Sequence, residues 1–179
     1  NLKHQLNEVS KSSATHSTLT LDDRSSCKFT KKSRVLESLR VIKKNVVFEK
    51  NYWKINAAHE GYLKQYGVVH DREIEFYPEK MKFIGHDRII SKNYVRNLKF
   101  EIRFHLEPNV KVMKTQDGKS ILIDLSGEGW KFKSDLNSIN IDNGLYFGKK
   151  NSFINNKNIF ISGMTNGDNQ TIKWEITKL

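Results

Sequence analysis

The chain reads as an all-β protein, a single domain built as an antiparallel β-sandwich. Three observations predict this. Short runs of alternating apolar and polar residues recur along almost the whole length, separated by turn clusters, with hardly any stretch at helical spacing. No repeat of fixed period is present, which disfavours a propeller or a solenoid. No shift of composition divides the 179 residues, and 37% hydrophobic with 11% aromatic residues can furnish one core and is too rich for a disordered chain.

Taken in order, Asn1 to Thr15 lacks clear periodicity and reads as loop or a frayed helical turn. Ser17 to Leu21 is a short β-rich run, and Asp22 to Ser26 is a turn cluster. Between Arg34 and Phe48, the spacing of Val35, Leu36, Leu39 and Ile42 would suit a helix. Its β-branched residues and neighbouring strands favour strand, broken near Lys43 to Asn45. Glu49 to Ala58 continues as strand, and a polar connection follows from Ser91 to Leu98. Lys99 to Leu106 alternates cleanly. Further short strands are predicted at Val110–Met113, Ser120–Leu125, Gly129–Lys133, Ile139–Ile141, Leu145–Phe147, Asn158–Ser162 and Thr171–Thr177. Turn signals such as Gln116-Asp117-Gly118 and Asp142-Asn143-Gly144 separate them.

The most informative stretch is Gly61 to Ile90, two alternating runs around Pro78-Glu79, which predicts a hairpin. Placing Phe76 opposite Met81 sets Ile74 against Phe83, Glu75 against Lys82, Arg72 against Gly85 and His70 against Asp87. A one-residue slip would turn every side chain to the wrong face. In this register His70, Arg72 and Asp87 share the parity of Ile74, Phe76 and Phe83 and point toward the core. A polar cluster at the end of an apolar face breaks the binary pattern, and such breaks mark a function or a specific buried network.

Charge and composition narrow the partners. Thirty-one Lys+Arg against twenty Asp+Glu give a formal net charge of +11, which favours polyanions. The plainer reading is a Lys-rich solvated surface. Lys and Arg are scattered rather than interleaved with aromatics in one stripe, so nucleic acid is not expected as a partner. The single cysteine, Cys27, excludes an internal disulfide and a multi-cysteine zinc site. No apolar run approaches the ~18 residues needed to span a bilayer, and the polar first residues do not form a signal peptide. The chain begins with Asn1 rather than Met, so an incomplete N-terminal side is expected.

No Walker loop, GxGxxG, HExxH or GxSxG is present. The six histidines are His4, His16, His59, His70, His86 and His105. Each can be ligand, proton carrier or simply a hydrogen-bonded core residue. His70 with Asp87 could be an imidazole oriented by a carboxylate, or a buried pair that fixes register. Tyr62 and Tyr66 could stack on sugar or pack at a strand start. Arg103 and His105 project from the polar face of their strand.

Several runs, in order, resemble one family. They are Ala14-Thr15-His16-Ser17-Thr18-Leu19 with Asp22-Asp23, His59-Glu60-Gly61-Tyr62 with Tyr66 to Arg72, Gly85-His86-Asp87-Arg88, Ile102 to Leu106 with Pro108, and Gly127-Glu128-Gly129-Trp130. Together they look like the C-terminal part of heparinase II/III-like proteins of the bacterial branch, across residues 1–179. The resemblance implies a supersandwich-like module following an α/α toroid, in a polysaccharide lyase that breaks uronate-containing acidic polysaccharides, including glycosaminoglycans, by β-elimination. It also implies a structural zinc, to which His16 matches one ligand, the others lying upstream. His59, Tyr62, Arg103 and His105 become candidate glycan contacts, and His70, Arg72 and Asp87 a candidate polar cluster without an assigned catalytic role. The isolated chain is expected to be inactive, and the resemblance leaves its location open between the periplasm and the cytoplasm of a bacterium. The alternative is a non-catalytic carbohydrate-binding or interaction sandwich.

Overall fold

The computed structural model describes residues 2–30, 35–37, 39–92, 97–148 and 152–179. In chain order these form α1 (Leu2–Val9), β1 (Leu19–Leu21), β2 (Lys28–Phe29), β3 (Val35–Glu37), β4 (Val41–Glu49), β5 (Tyr52–Tyr62) and the short α2 (Leu63–Tyr66). Then follow β6 (Val68–Tyr77), β7 (Lys82–Ser91), β8 (Lys99–His105), β9 (Lys111–Lys114), β10 (Ser120–Leu125), β11 (Glu128–Ser134), β12 (Ile139–Tyr146), β13 (Ile154–Met164) and β14 (Gln170–Lys178). The fold is the expected antiparallel sandwich. A four-stranded sheet, β1-β8-β13-β12, packs on an eight-stranded one, β4-β5-β6-β7-β14-β11-β10-β9. No helix among the described residues is long and apolar enough to cross a membrane.

Period-two alternation builds the core directly. Leu19, Leu21, Phe100, Ile102, Ile159 and Ile161 from the small sheet meet Ile89, Ile172, Trp174, Phe132 and Ile121 from the large one. At roughly 1.5–3 kcal/mol for burying each large apolar side chain, this shared face dominates the stability.

The large sheet is wider than its partner. One row of its inner face runs Phe48, Trp53, Phe76, Phe83, Ile176, Phe132 from β4 across to β11. Phe132 at one end is 0% exposed and Phe48 at the other 74%. Strands β4, β5 and β6 therefore form a wing that overhangs the four-stranded sheet.

The hairpin exists, but its register is offset by two from the expected one. Phe76 pairs with Phe83, Arg72 with Asp87, and His70 with Ile89. The reason lies in the turn. Pro78 opens a 3-10 turn over Pro78–Lys80, and Met81 closes it in the left-handed region at φ 42°. Met81 thus leaves the ladder and Tyr77 joins it opposite Lys82. An offset of two preserves parity, so the predicted inward facing of His70, Arg72 and Asp87 stands while their partners change. On the outer face the true register sets Asp71 against Arg88 and Glu73 against His86, again acid against base.

Other expectations are corrected. Of the two readings of Asn1 to Thr15, the helical one holds over Leu2–Val9, as a full helix rather than a frayed turn. The break in the run from Arg34 to Phe48 falls between β3 and β4, not at Lys43 to Asn45. Asp142-Asn143-Gly144 is no turn, because β13 supplies partners to the whole of β12 from Ile139 to Tyr146. Asn1, Arg34 and Ser38, and residues 93–96 of the polar connection, lie outside the described residues.

Candidate functional site

The polar cluster predicted from parity is a line crossing four strands. His59 stands on β5, His70 and Arg72 on β6, Asp87 on β7, and Trp174 on β14. Asp87 is 0% exposed and accepts four hydrogen bonds. His70 Nε2 donates to its Oδ1 at 2.7 Å. Arg72 donates through Nε at 2.7 Å and Nη2 at 3.1 Å, and Trp174 Nε1 donates at 2.9 Å. The carboxylate is fully satisfied, which is the condition for a buried charge to be tolerated. Burial by itself would raise the Asp87 pKa; the Arg72 charge and the His70 hydrogen bond overcome it and hold the group well below the usual carboxylate range.

Gly85 makes this geometry possible. It pairs with Trp174 across β7 and β14, and a Cβ there would sit 2.0 Å from Trp174 Cζ2. Without one, the indole lies against the β7 backbone and its N–H reaches Asp87, two residues on along the same face.

The line extends outward through His59. The Gly61 N–H donates to His59 Nδ1 at 3.1 Å, so the ring proton sits on Nε2, 3.2 Å from His70 Nδ1. His70 accepts there and carries its own proton on Nε2, toward Asp87. Burial first, then the neighbouring His70 and the Arg72 charge, push His59 down to about 4, so at neutral pH it is uncharged. The arrangement is an imidazole pair ending in a carboxylate, with each inner nitrogen committed. Asp87 orients His70 and His70 in turn orients His59, while the buried Asp87 carboxylate is closed to any substrate.

Arg72 also joins the two sheets. Its Nη1 donates to the Ser17 carbonyl just before β1, and its guanidinium lies 5.9 Å from the Phe104 ring centroid. The same serine accepts the His105 backbone N–H at its Oγ, 3.0 Å away. Ser17 thus links the polar line to a second group, His16 and His105. His105 Nε2 lies 3.0 Å from the Ala14 carbonyl and His16 Nε2 3.0 Å from that of Ser10. Both rings donate from Nε2; the exposed His16 keeps a lone pair at Nδ1, whereas the Nδ1 of His105 is buried without a hydrogen-bond partner. Burial first, then Arg103 and His16, lowers the His105 pKa against the opposing pull of the Ala14 carbonyl. Arg103 lies on the outer face of the small sheet, with Nη2 2.6 Å from Glu101 Oε2 and its guanidinium 5.1 Å from the Phe160 ring.

Of the candidate glycan contacts, His59 belongs to the polar line, and Arg103 and His105 lie on β8. Tyr62 is 1% exposed and its hydroxyl donates to the Leu19 carbonyl at 2.8 Å, so it fastens β5 to β1 and a glycan has no access to it. His16 is exposed and oriented by a backbone carbonyl, as a metal-ligating imidazole is. Zinc needs three or four ligands, and among the described residues no group of three or more His, Cys, Asp or Glu side chains is gathered. The described residues alone do not compose a zinc site. Sequence reasoning missed Trp174 and Ser17 as partners of the polar line. A buried indole N–H that must find an acceptor, opposite a glycine inside a strand, was the available signal for Trp174. A backbone carbonyl such as that of Ser17 leaves no side-chain signal.

The sequence profile of the family described as heparinase II/III-like, C-terminal, matches residues 1–175. No curated protein matches. Among solved structures, heparan sulfate lyase HepC from Pedobacter heparinus superposes with a TM-score of 0.76 at 16% identity, over 97% of this chain and 25% of that one. The heparinase III BT4657 gene product superposes with a TM-score of 0.71 at 12% identity, over 98% of this chain and 25% of that one. At such identities the likeness is one of fold. The chain spans about a quarter of the length of these structures.

Proposed function

From the premise that this chain belongs to the heparinase II/III-like, C-terminal family, we propose that it is the β-sandwich module of a polysaccharide lyase acting by β-elimination on uronate-containing acidic polysaccharide. The observation that carries the reading is the family match along residues 1–175. The formal charge of +11 supports it, since an acidic glycan is drawn to such a field. β-Elimination needs a base for the C5 proton, neutralisation of the uronate carboxylate, and a proton for the leaving oxygen. On this reading the module's Arg72, His59, His16 and His105 border the glycan, while an α/α toroid outside this chain brings the remaining catalytic groups. His16 supplies one ligand of a structural zinc, through Nδ1, and its other ligands also come from outside this chain.

The test compares the 179-residue chain with the product of the whole reading frame that encodes it, on heparan sulfate and other uronate polysaccharides. Unsaturated uronate product is expected from the longer protein alone, with weak, salt-sensitive glycan binding by the short one. No unsaturated product from any uronate polysaccharide overturns the lyase reading. Metal analysis of the longer protein carrying His16→Ala should show loss of zinc; a full complement sinks the ligand assignment.

A further inference from the structure

The chain holds two Asn-Gly steps, Asn143-Gly144 and Asn166-Gly167, and the fold treats them in opposite ways. A glycine after an asparagine exposes the side-chain amide to attack by the next backbone nitrogen. No Cβ hinders the approach, and glycine has the backbone freedom to make it. How tightly the step is held then decides whether the reaction runs.

Asn143-Gly144 is locked. Both residues lie inside β12 and pair with β13, Asn143 opposite Lys157 and Gly144 opposite Asn156. The Asn143 Oδ1 accepts from Lys157 Nζ at 2.7 Å, which draws the amide across toward β13. The side chains of Asn156 and Asn158 crowd Gly144, and a Cβ there would sit 2.6 Å from Asn156 Oδ1. The glycine nitrogen cannot swing toward the Asn143 amide without opening the ladder.

Asn166-Gly167 lies in the connection between β13 and β14, outside both strands. Asn166 is exposed, and Gly167 has φ 89°, in the left-handed region. The Asp168 N–H donates to Asn166 Oδ1 at 3.2 Å, closing a ring that contains the Gly167 nitrogen. Each of the two amide oxygens accepts a hydrogen bond, so electron demand does not separate the steps; backbone freedom does. The flanks of the second step are fixed. Thr165 is 2% exposed and exchanges two hydrogen bonds with Leu98, both 2.9 Å. Asn169 Oδ1 accepts the Ser91 N–H at 2.9 Å.

We propose that Asn166 is a site of spontaneous deamidation and isomerisation, a modification that the strand denies to Asn143. The Gly167 nitrogen bonds to Asn166 Cγ, the Cγ–Nδ2 bond breaks, and ammonia leaves with the proton from the Gly167 N–H. The resulting succinimide takes up one water at either carbonyl and opens to aspartate or isoaspartate, with no change of oxidation state. Isoaspartate lengthens the main chain by one atom while Thr165 and Asn169 hold its ends. One of the two anchors must then yield, and the new carboxylate also stands close to Asp168. The junction that ties this connection to the end of β7 and the start of β8 loosens as the protein ages.

The test incubates the product of the whole reading frame in mildly alkaline buffer at physiological temperature and follows both Asn-Gly peptides by mass spectrometry. A gain of about 1 Da at Asn166 is expected, at least ~10-fold faster than at Asn143, with aspartate and isoaspartate forms separating on chromatography. In concentrated urea the two rates should converge, since both steps are then equally free. Matching rates in the folded protein overturn the proposal, and so does an unconverted Asn166. A ratio that persists in urea overturns it too, because local sequence rather than the fold would then set the difference. Asn166→Gln should abolish the conversion and hold the urea midpoint constant during incubation, while the unsubstituted protein loses stability as isoaspartate accumulates. A midpoint equally steady in both overturns the loosening of the junction.

Discussion

The two halves of the eight-stranded sheet carry the same pattern and meet different fates. Across β7, β14, β11 and β10, alternation buries Ile172, Trp174, Phe132 and Ile121 beneath the small sheet. Across β4 and β5, the same alternation leaves Val46, Phe48 and Ile55 in solvent. Local pattern thus decides which way a side chain points, and the neighbouring layer decides whether that direction is inside. Two lines of side chains cross the boundary and bind the halves together. One is the aromatic row from Phe48 to Phe83. The other is the polar line from His59 through His70, Arg72 and Asp87 to Trp174, and its energetics differ, since a buried carboxylate is stable only while all its donors stay in place.

The sharpest test of the contrast takes two phenylalanines of one row. In this chain Phe132→Ala should cost about 3–5 kcal/mol in urea unfolding, through lost burial and the cavity left behind. Phe48→Ala should cost about 0.5 kcal/mol or less, as at an ordinary exposed position. Similar losses at both would mean the wing is already covered in the isolated chain. Asp87→Ala should cost roughly 3–5 kcal/mol, because it strands the Arg72 charge and the Trp174 and His70 donors. A loss below about 1 kcal/mol would show that the polar line does not hold the wing to the packed half. Gly85→Ala should cost about 1–3 kcal/mol by driving Trp174 off the strand, with a changed indole fluorescence; an unchanged spectrum would contradict the contact.

The pH profile separates members of the polar line. The folded pKa of His59 is pushed down to about 4, against an ordinary value near 6.5, so its neutral form is the one that folds. Its contribution is complete above roughly pH 6.5 and is lost as pH falls from there toward 4. Asp87 is a depressed acid, so its contribution holds above roughly pH 4 and fades only below that. Stability should therefore decline in two legs, the first worth up to roughly 3 kcal/mol. His59→Gln should flatten the first leg and leave the second, and an undiminished first leg in that variant would assign it to another group.

Much of this architecture was legible in the residues. Period-two runs identified nearly every strand, and parity alone placed His70, Arg72 and Asp87 on the inner face. The errors share a cause. The two-residue offset of the β6–β7 hairpin arose because Pro78 starts a helical turn that takes in Met81, and turn closure is invisible to alternation. Asp142-Asn143-Gly144 reads as a turn by composition, yet β13 offers it a continuous ladder and the hydrogen bonds gained there outweigh local preference. Tyr62 is open between a sugar contact and packing at a strand start in the sequence, and β1 decides for packing by supplying the Leu19 carbonyl to its hydroxyl.

By itself the sequence determined the fold class, the family, and the facing of each strand, because those depend on residue order and a period of two. Only the tertiary structure decided the hairpin partners, the meeting of Trp174 with Asp87 over Gly85, the link through Ser17, and the bare wing. These depend on turn closure, on the close approach of strands distant in sequence, and on the unequal width of two sheets. None of these is encoded in any single run of residues.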